Sequence, residues 1–262
     1  FPRYEELQRE QVFAVLLPRV WPLIEQAARA NLNLTIDAEE SDRLELSLDV
    51  MDALAARIAR VYPQWGGFGL AVQSYLTTAL AVVDEVAAMA HRHNLNFMVR
   101  LVKGAYWDGE VKRAQEAGLP GYPVFTHKHH TDISYLACAR ALVDNHQVIY
   151  PQFASHNAGT IAAILQMARE QGAAFEFQRL HGMSEGIYRE VLRQTPEGQP
   201  TSTPHAPVAR AGGPQAVPLR VYAPVGEHRD LLAYLVRRLL ENGANSSFVH
   251  QLADEAVSTE EL

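Results

Sequence analysis

Apolar positions recur along this chain with two alternating periods. Over residues 5–30, Leu7, Val12, Val15, Leu16, Trp21, Leu23 and Ile24 recur at roughly helical spacing with charges between them. They predict a helix that Pro18 and Pro22 are placed to kink or split. Residues 32–36 switch to strand-like alternation and run into Asp37-Ala38-Glu39-Glu40-Ser41-Asp42-Arg43. Residues 44–61 are helical again. Gly66-Gly67 breaks the chain before a strand at 68–72, which leads into Gln73-Ser74-Tyr75 and a helix from about 77 to 91. Phe97, Met98, Val99, Leu101 and Val102 form a buried strand interrupted by Arg100. A short helix over 109–118 stops at Gly118. Residues 133–143 are a helix, 147–150 a strand, and a helix begins at Ala158. The 175–182 segment is another strand, 184–194 a helix, 219–222 the last strand, and 229–242 a helix with Gly243 as its C-cap.

The unit is strand, polar strand end, helix, repeated six times. Helices between strands make all six parallel. Length and repetition favour an α/β TIM-type barrel over an open sheet, with two strands missing from the count and a helix at the start. No G-x-G-x-x-G opens any helix, which argues against a Rossmann site. Residues 195–217 are rich in Pro, Gly, Thr, Ala and Ser and lack any period, so a loop or disordered connector is expected.

Composition narrows the class. The 262 residues are 48% hydrophobic and 20% charged, enough for one large domain spanning 1–262. A net charge of −7 argues against a nucleic-acid-binding surface. The single cysteine, Cys138, allows no internal disulfide and lies in an apolar helical context suited to a packed thiol. No membrane span or signal peptide is visible, so the expected compartment is the cytoplasm, with membrane contact only from the surface.

The chemistry concentrates at strand ends. In Val99-Arg100-Leu101-Val102-Lys103-Gly104-Ala105-Tyr106-Trp107-Asp108, a cation interrupts a core strand, and Lys, Gly and two aromatics crowd its end. Arg100 needs an anionic or polar neighbour, either a core carboxylate or a ligand. Asp37, at a strand end, is kept as a site candidate; the other acids of its segment fit a solvated helix start. His91 and His93 suit a helix C-terminus and are read as structural. Thr126-His127-Lys128-His129-His130-Thr131-Asp132 offers metal-ligand types without a zinc spacing; phosphate contact by its Thr, Lys and His side chains, in a loop, is favoured. His156 could be catalytic or face a cofactor, or Ser155 or Asn157 could simply cap the next helix. Near the C-terminus, Arg237 and Arg238 beside Tyr234 suit a carboxylate clamp, because the planar guanidinium grips both oxygens. A surface pair of Arg237 with Glu241 explains only one of the two.

Arg100–Asp108, Tyr150-Pro-Gln-Phe-Ala-Ser-His-Asn157, Phe175-Glu-Phe-Gln-Arg-Leu-His-Gly182, Tyr222-Ala-Pro-Val-Gly226 and the stretch from Tyr234 to Phe248 closely resemble the proline dehydrogenase domain of bacterial proline utilization A proteins. The resemblance implies a distorted (βα)8 barrel that binds FAD. It implies oxidation of L-proline to Δ1-pyrroline-5-carboxylate by hydride transfer from C5 to flavin N5, with electrons passed to ubiquinone or menaquinone at the membrane. Residue by residue, it assigns Arg237 and Arg238 to the proline carboxylate. Tyr106, Leu180, Tyr222 and Tyr234 would enclose the ring, with Asp37 in the same pocket. Arg100 would lie near N5. Gln73, Val102, Lys103, Gly104, Ala105, Trp107, Thr126, His127, Lys128, His156 and Glu241 would form the FAD shell.

The family's Ser-Ile-Lys-Leu-Ser strand, whose Lys belongs to the proline site, has no match ahead of Pro2-Arg3-Tyr4. The chain is therefore expected to begin inside the barrel. The segment from Pro200 to Pro218 also departs from the family. An aldehyde dehydrogenase domain, usual in these proteins, would belong to a longer parent chain. Two readings compete: a metal-dependent hydrolase on the same barrel using His127, His129, His130 and Asp37, and a non-catalytic carboxylate-binding module using the Arg pair.

Overall fold

A computed structural model of the chain describes residues 6–193, 217–229, 231, 232, 234 and 236. After a 3-10 turn at Glu6–Gln8, helix α1 spans Arg9–Arg29 with Pro18 and Pro22 inside it, unbroken. Both prolines are exposed. The carbonyls that lose a partner one turn back therefore reach water, while Val12, Trp21 and Ile24 are buried. The Arg57 guanidinium lies 3.7 Å from the Trp21 ring centre and ties α1 to the next helix.

There follow β1 (Leu34–Ile36), α2 (Leu44–Val61), β2 (Phe68–Gln73), α3 (Ala79–His93), β3 (Phe97–Val102), α4 (Trp107–Glu116), α5 (Lys128–Asp144), β4 (Ile149–Ala154), α6 (Ala158–Gln171), β5 (Glu176–Leu180), α7 (Glu185–Arg193) and β6 (Leu219–Tyr222). Local chemistry sets several ends. Asn94 (φ 52°) and Gly172 (φ 61°) turn left-handed after α3 and α6, and Asn157 accepts the Thr160 N–H at 2.9 Å to cap α6. His93 sits in the last turn of α3, where its Nε2 meets Asp52 at 2.8 Å, the structural role expected of it.

Two elements differ from the sequence pattern. Helix α5 begins at Lys128, not at 133, so the His-rich segment is its first turns rather than a loop. Its start was hidden because, of residues 128–132, Thr131 alone is buried. Strand β4 continues through Pro151 to Ala154. The ladder to β5 begins at Gln152, which leaves the missing Pro151 N–H at the margin of that pairing.

The sheet order is β1-β2-β3-β4-β5-β6, every pair parallel. Strands are added in chain order with no reversal, the winding of a (βα) barrel rather than of a doubly wound sheet. The described strands form an arc whose edges are β1 and β6. Residues 194–216, which hold most of the expected connector, and most of the C-terminal helical segment lie outside the described residues.

The two faces of the arc differ. Phe68, Leu70, Val72, Phe97, Val99, Leu101, Phe153 and Phe177 point to the helices and join the core with Met51, Leu54, Ile58, Val83, Val86, Cys138, Leu142, Ile161 and Ile164. The alternate positions, Gln73, Met98, Arg100, Gln152, Glu176, Gln178 and Arg220, share the concave face. Register places Ala71, Arg100, Gln152 and Glu176 in one row. Strands buried on both faces usually read as continuous apolar runs; here one face is polar.

At Gly69 the β2 backbone pairs with Met98, and a Cβ would collide with the Met98 carbonyl oxygen. We expect Gly69→Ala to push β2 from β3 and cost roughly 3 kcal/mol or more. A urea midpoint equal to that of the parent protein would contradict this register.

Candidate active site

The polar face opens at the carboxyl ends of the strands, where parallel barrels keep their sites. Arg100 has the anionic partner its place demanded: Nη2 donates to Asp37 Oδ1 at 2.6 Å. The Arg100 side chain is 23% exposed and the Asp37 side chain 77%, so water screens the pair from the outer side. The main effect is positional, aiming the guanidinium along the rim from β3 towards β1.

Asp37 sits in the loop after β1, and that loop is held from two sides. Gln73 Nε2 donates to the Glu39 carbonyl at 2.7 Å. Ser41 donates through N and Oγ to the two Glu110 carboxylate oxygens, both at 2.6 Å. Glu110, on α4, is 2% exposed and also meets Arg113 at 3.4 Å. Sequence reasoning missed Glu110. The available signal was its place on the same side of α4 as Ala114, the other buried residue of that helix. An acid on an apolar stripe needs a partner, and here it is the loop that carries Asp37.

Past β3 the chain turns through Gly104 at φ 142°. A Cβ there would lie 2.5 Å from the Tyr75 ring, so the bare backbone lies flat on an aromatic face. Burial, then the Glu110 charge, pushes the Tyr75 phenol well up from its ordinary pKa. Lys103 Nζ donates to Asp132 Oδ1 at 2.5 Å, bringing the end of β3 to the first turns of α5. Lys128 stands at the same helix end; burial, then the Lys103 charge, lowers its ammonium pKa, with Asp132 opposing. His127 is the N-cap of α5, and no side-chain bond caps that end among the described residues. Two lysines and a helix N-terminus thus meet at one corner, with Asp132 beside them. Trp107 Nε1 donates to the Phe125 carbonyl at 2.8 Å, fixing the segment before Thr126.

The three histidines pack on each other: His127 stacks on His129 with centroids 5.5 Å apart, and His130 stands edge-on to both, at 5.4 and 4.4 Å. Among the described residues no group of three or more His, Cys, Asp or Glu is arranged to hold a metal ion.

On the far side of the arc, Leu180 and Tyr222 are register partners on β5 and β6, and the His181 N–H donates to the Tyr222 carbonyl at 2.8 Å. His156, after β4, meets Ser184 Oγ through Nδ1 at 3.1 Å. Tyr106 is the N-cap of α4, and its carbonyl accepts the Glu110 N–H at 2.9 Å. Val102 and Ala105 are half-buried beside Lys103 and Gly104, and Tyr234 is a half-buried helical residue. Arg237, Arg238 and Glu241 lie outside the described residues.

The floor of this mouth was also missed. Glu176 receives Arg220 through Nε at 2.7 Å and Nη2 at 2.9 Å, Gln152 at 2.9 Å and Gln178 at 2.8 Å. The bidentate Arg220 grip pins β6 two residues before Tyr222. The alternation Phe175-Glu176-Phe177-Gln178 was the readable signal: alternate polar residues in a buried strand must share one face.

Comparison with known proteins fits this geometry. The family model "Proline dehydrogenase" matches residues 3–251. The bifunctional protein PutA of Escherichia coli (strain K12) is 46% identical over 263 residues, covering 100% of this chain and 19% of that protein. PutA of Rhizobium meliloti is 47% identical over 263 residues, covering 20% of that protein. A crystal structure of a Bradyrhizobium japonicum proline utilization A variant superposes with a TM-score of 0.81 at 50% identity, covering 100% of this chain and 25% of that one. The chain thus spans about a fifth of the length of these PutA relatives. With the family model spanning nearly the whole chain and solved relatives sharing its barrel, this chain belongs to the proline dehydrogenase family.

Proposed function

We propose that this chain forms the proline-oxidising barrel of a longer, multifunctional polypeptide. It converts L-proline to Δ1-pyrroline-5-carboxylate with FAD as its electron acceptor, and the electrons leave to ubiquinone or menaquinone at a membrane surface. The observation that carries the reading is Arg100. It is a permanent cation at the mouth of a polar barrel face, held by Asp37 at 2.6 Å in a chain of this family. Among the described residues no helix is long and apolar enough to cross a membrane, so quinone contact would be made from the surface.

The residues present suit FAD. Lys103, Lys128, Thr126, His127 and the α5 N-terminus would hold its pyrophosphate, two cations and a helix dipole end suiting an anion. Gly104 lets the chain turn flat against Tyr75, and Val102, Gly104, Ala105, Trp107 and Gln73 would line the cofactor there, with His156 and Glu241 completing the shell. When bound, FAD supplies a two-electron acceptor, which no side chain of this site provides. The protein's part is position and charge. Arg237 and Arg238 grip the proline carboxylate as a pair of bidentate donors. Tyr106, Leu180, Tyr222 and Tyr234 close over the ring and exclude water, and Asp37 borders the same pocket. Proline then loses hydride from C5 and a proton from nitrogen as the C=N bond forms. Arg100, held by Asp37, would supply a fixed positive charge to the electron acceptor.

Three outcomes are expected. The purified full-length protein is yellow, and its visible flavin absorbance bleaches anaerobically on adding L-proline; a colourless protein that chelators inactivate would instead favour the hydrolase. Arg237→Met and Arg238→Met each raise KM for proline by an amount equivalent to roughly 2–5 kcal/mol while FAD stays bound. An unchanged KM in both would remove the clamp. Lys128 gives the third. Its folded pKa is lowered, so without cofactor the protein gains stability as pH rises through that pKa. A bound pyrophosphate needs the charged form, so FAD retention falls over the same rise. Ultrafiltration of holoprotein across alkaline pH should show this loss, and Lys128→Met should flatten it.

A further inference from the structure

Gln152 is 2% exposed and lies in mid-β4 on the concave face, in register with Arg100 on one side and Glu176 on the other. Its Nε2 donates to Glu176 Oε1 at 2.9 Å and lies 3.7 Å from Met98 Sδ. Glu176 thereby decides which way the amide faces. Reversed, the amide oxygen would meet a carboxylate oxygen, two acceptors in contact. Oε1 is therefore turned away from Glu176, and it is buried with no donor among the described residues.

An amide oxygen left in that state is costly. The fold does not force it, since methionine would fill a similar volume with no such atom. The residue across the β3–β4 ladder is Arg100, its backbone one strand spacing away, about 4.8 Å. Arg100 points a donor at Asp37. The unpartnered oxygen thus lies on the same concave face as Arg100, on an amide held in place by a carboxylate with four hydrogen bonds.

We propose that Gln152 Oε1 is a ligand-binding acceptor that takes an N–H donor from a molecule bound in the barrel mouth. The proposal deepens the proline-oxidising function and rests on it. That function supplies two such donors, the imide N–H of the flavin ring and the secondary ammonium of proline. Either would end the isolation of the buried oxygen. Glu176, held by Arg220, serves as its positioning residue.

The test uses full-length holoprotein carrying Gln152→Met, beside Gln178→Met, which removes an equivalent amide donor to Glu176. FAD dissociation by ultrafiltration, KM and kcat for proline, and Tm are measured for each. Gln152→Met should weaken one ligand by roughly tenfold while Gln178→Met stays within about twofold. Faster FAD loss identifies the imide N–H, and a raised KM with FAD retained identifies the ammonium. Equal behaviour of the two variants in both readouts overturns the proposal and leaves the oxygen to a buried water. Should Gln152→Met fail to fold, the unaltered protein is challenged with FAD methylated at the imide nitrogen and with cyclopentanecarboxylate as a competitor. Weakening of either relative to its N–H-bearing counterpart supports the proposal, and weakening of neither overturns it. Parent protein without a flavin band or a proline-dependent bleach would sink the underlying function instead; a parent with both and an indifferent Gln152→Met sinks this inference alone.

Discussion

The constraint on which this chain depends is parallel register between strands whose two faces have opposite chemistry. A strand alternates its side chains strictly, so each strand that gives Phe, Val or Leu to the helices must give its other residues to the inside. Pairing of Arg100 with Gln152 and Gln152 with Glu176 turns that rule into one polar row across the arc. A slip by one residue at β4 would send Phe153 inward and Gln152 into the helix layer. The apolar core thus guards the register, and the register assembles the site.

Polar groups inside such a barrel are tolerable only when their bonds close. Glu176 is 3% exposed and takes four hydrogen bonds, two from one guanidinium. Removing one partner of a buried pair strands the other and typically costs 3–5 kcal/mol, while the intact pair adds little net stability. The return is geometric: β6, an edge strand of the described arc, is locked to β5 just before Tyr222. Glu110 plays the corresponding part at the other edge. It reaches from α4 to Ser41 and steadies the loop from which Asp37 meets Arg100. Two buried carboxylates, one near each edge, hold the parts of the mouth that the sheet alone leaves loose.

The corner near α5 follows the opposite logic. Lys103 and Lys128 crowd one helix N-terminus, and Asp132 offsets part of their charge. Like charges beside a positive dipole end cost stability unless an anion joins them. Burial, and after it the Lys103 charge, lowers the Lys128 pKa at this corner. The three histidines, which invite a metal in the sequence, pack ring against ring at this corner.

Much of this was legible in the residues. Helix and strand periods, the six parallel strands and the polar strand ends are local properties, set within a few residues. The long motifs from Arg100 onward sufficed to point to the family. Where the local pattern was silent, the reading slipped: the polar first turns of α5 looked like a loop, and Pro151 seemed to end β4. What only tertiary structure decided are the partnerships. Arg100 finds Asp37 across 63 positions, Ser41 finds Glu110 across 69, and Arg220 finds Glu176 across 44. No period along the chain encodes such pairs, because a buried charge can state that it needs a partner, while only the packed sheet determines which group is near enough to serve.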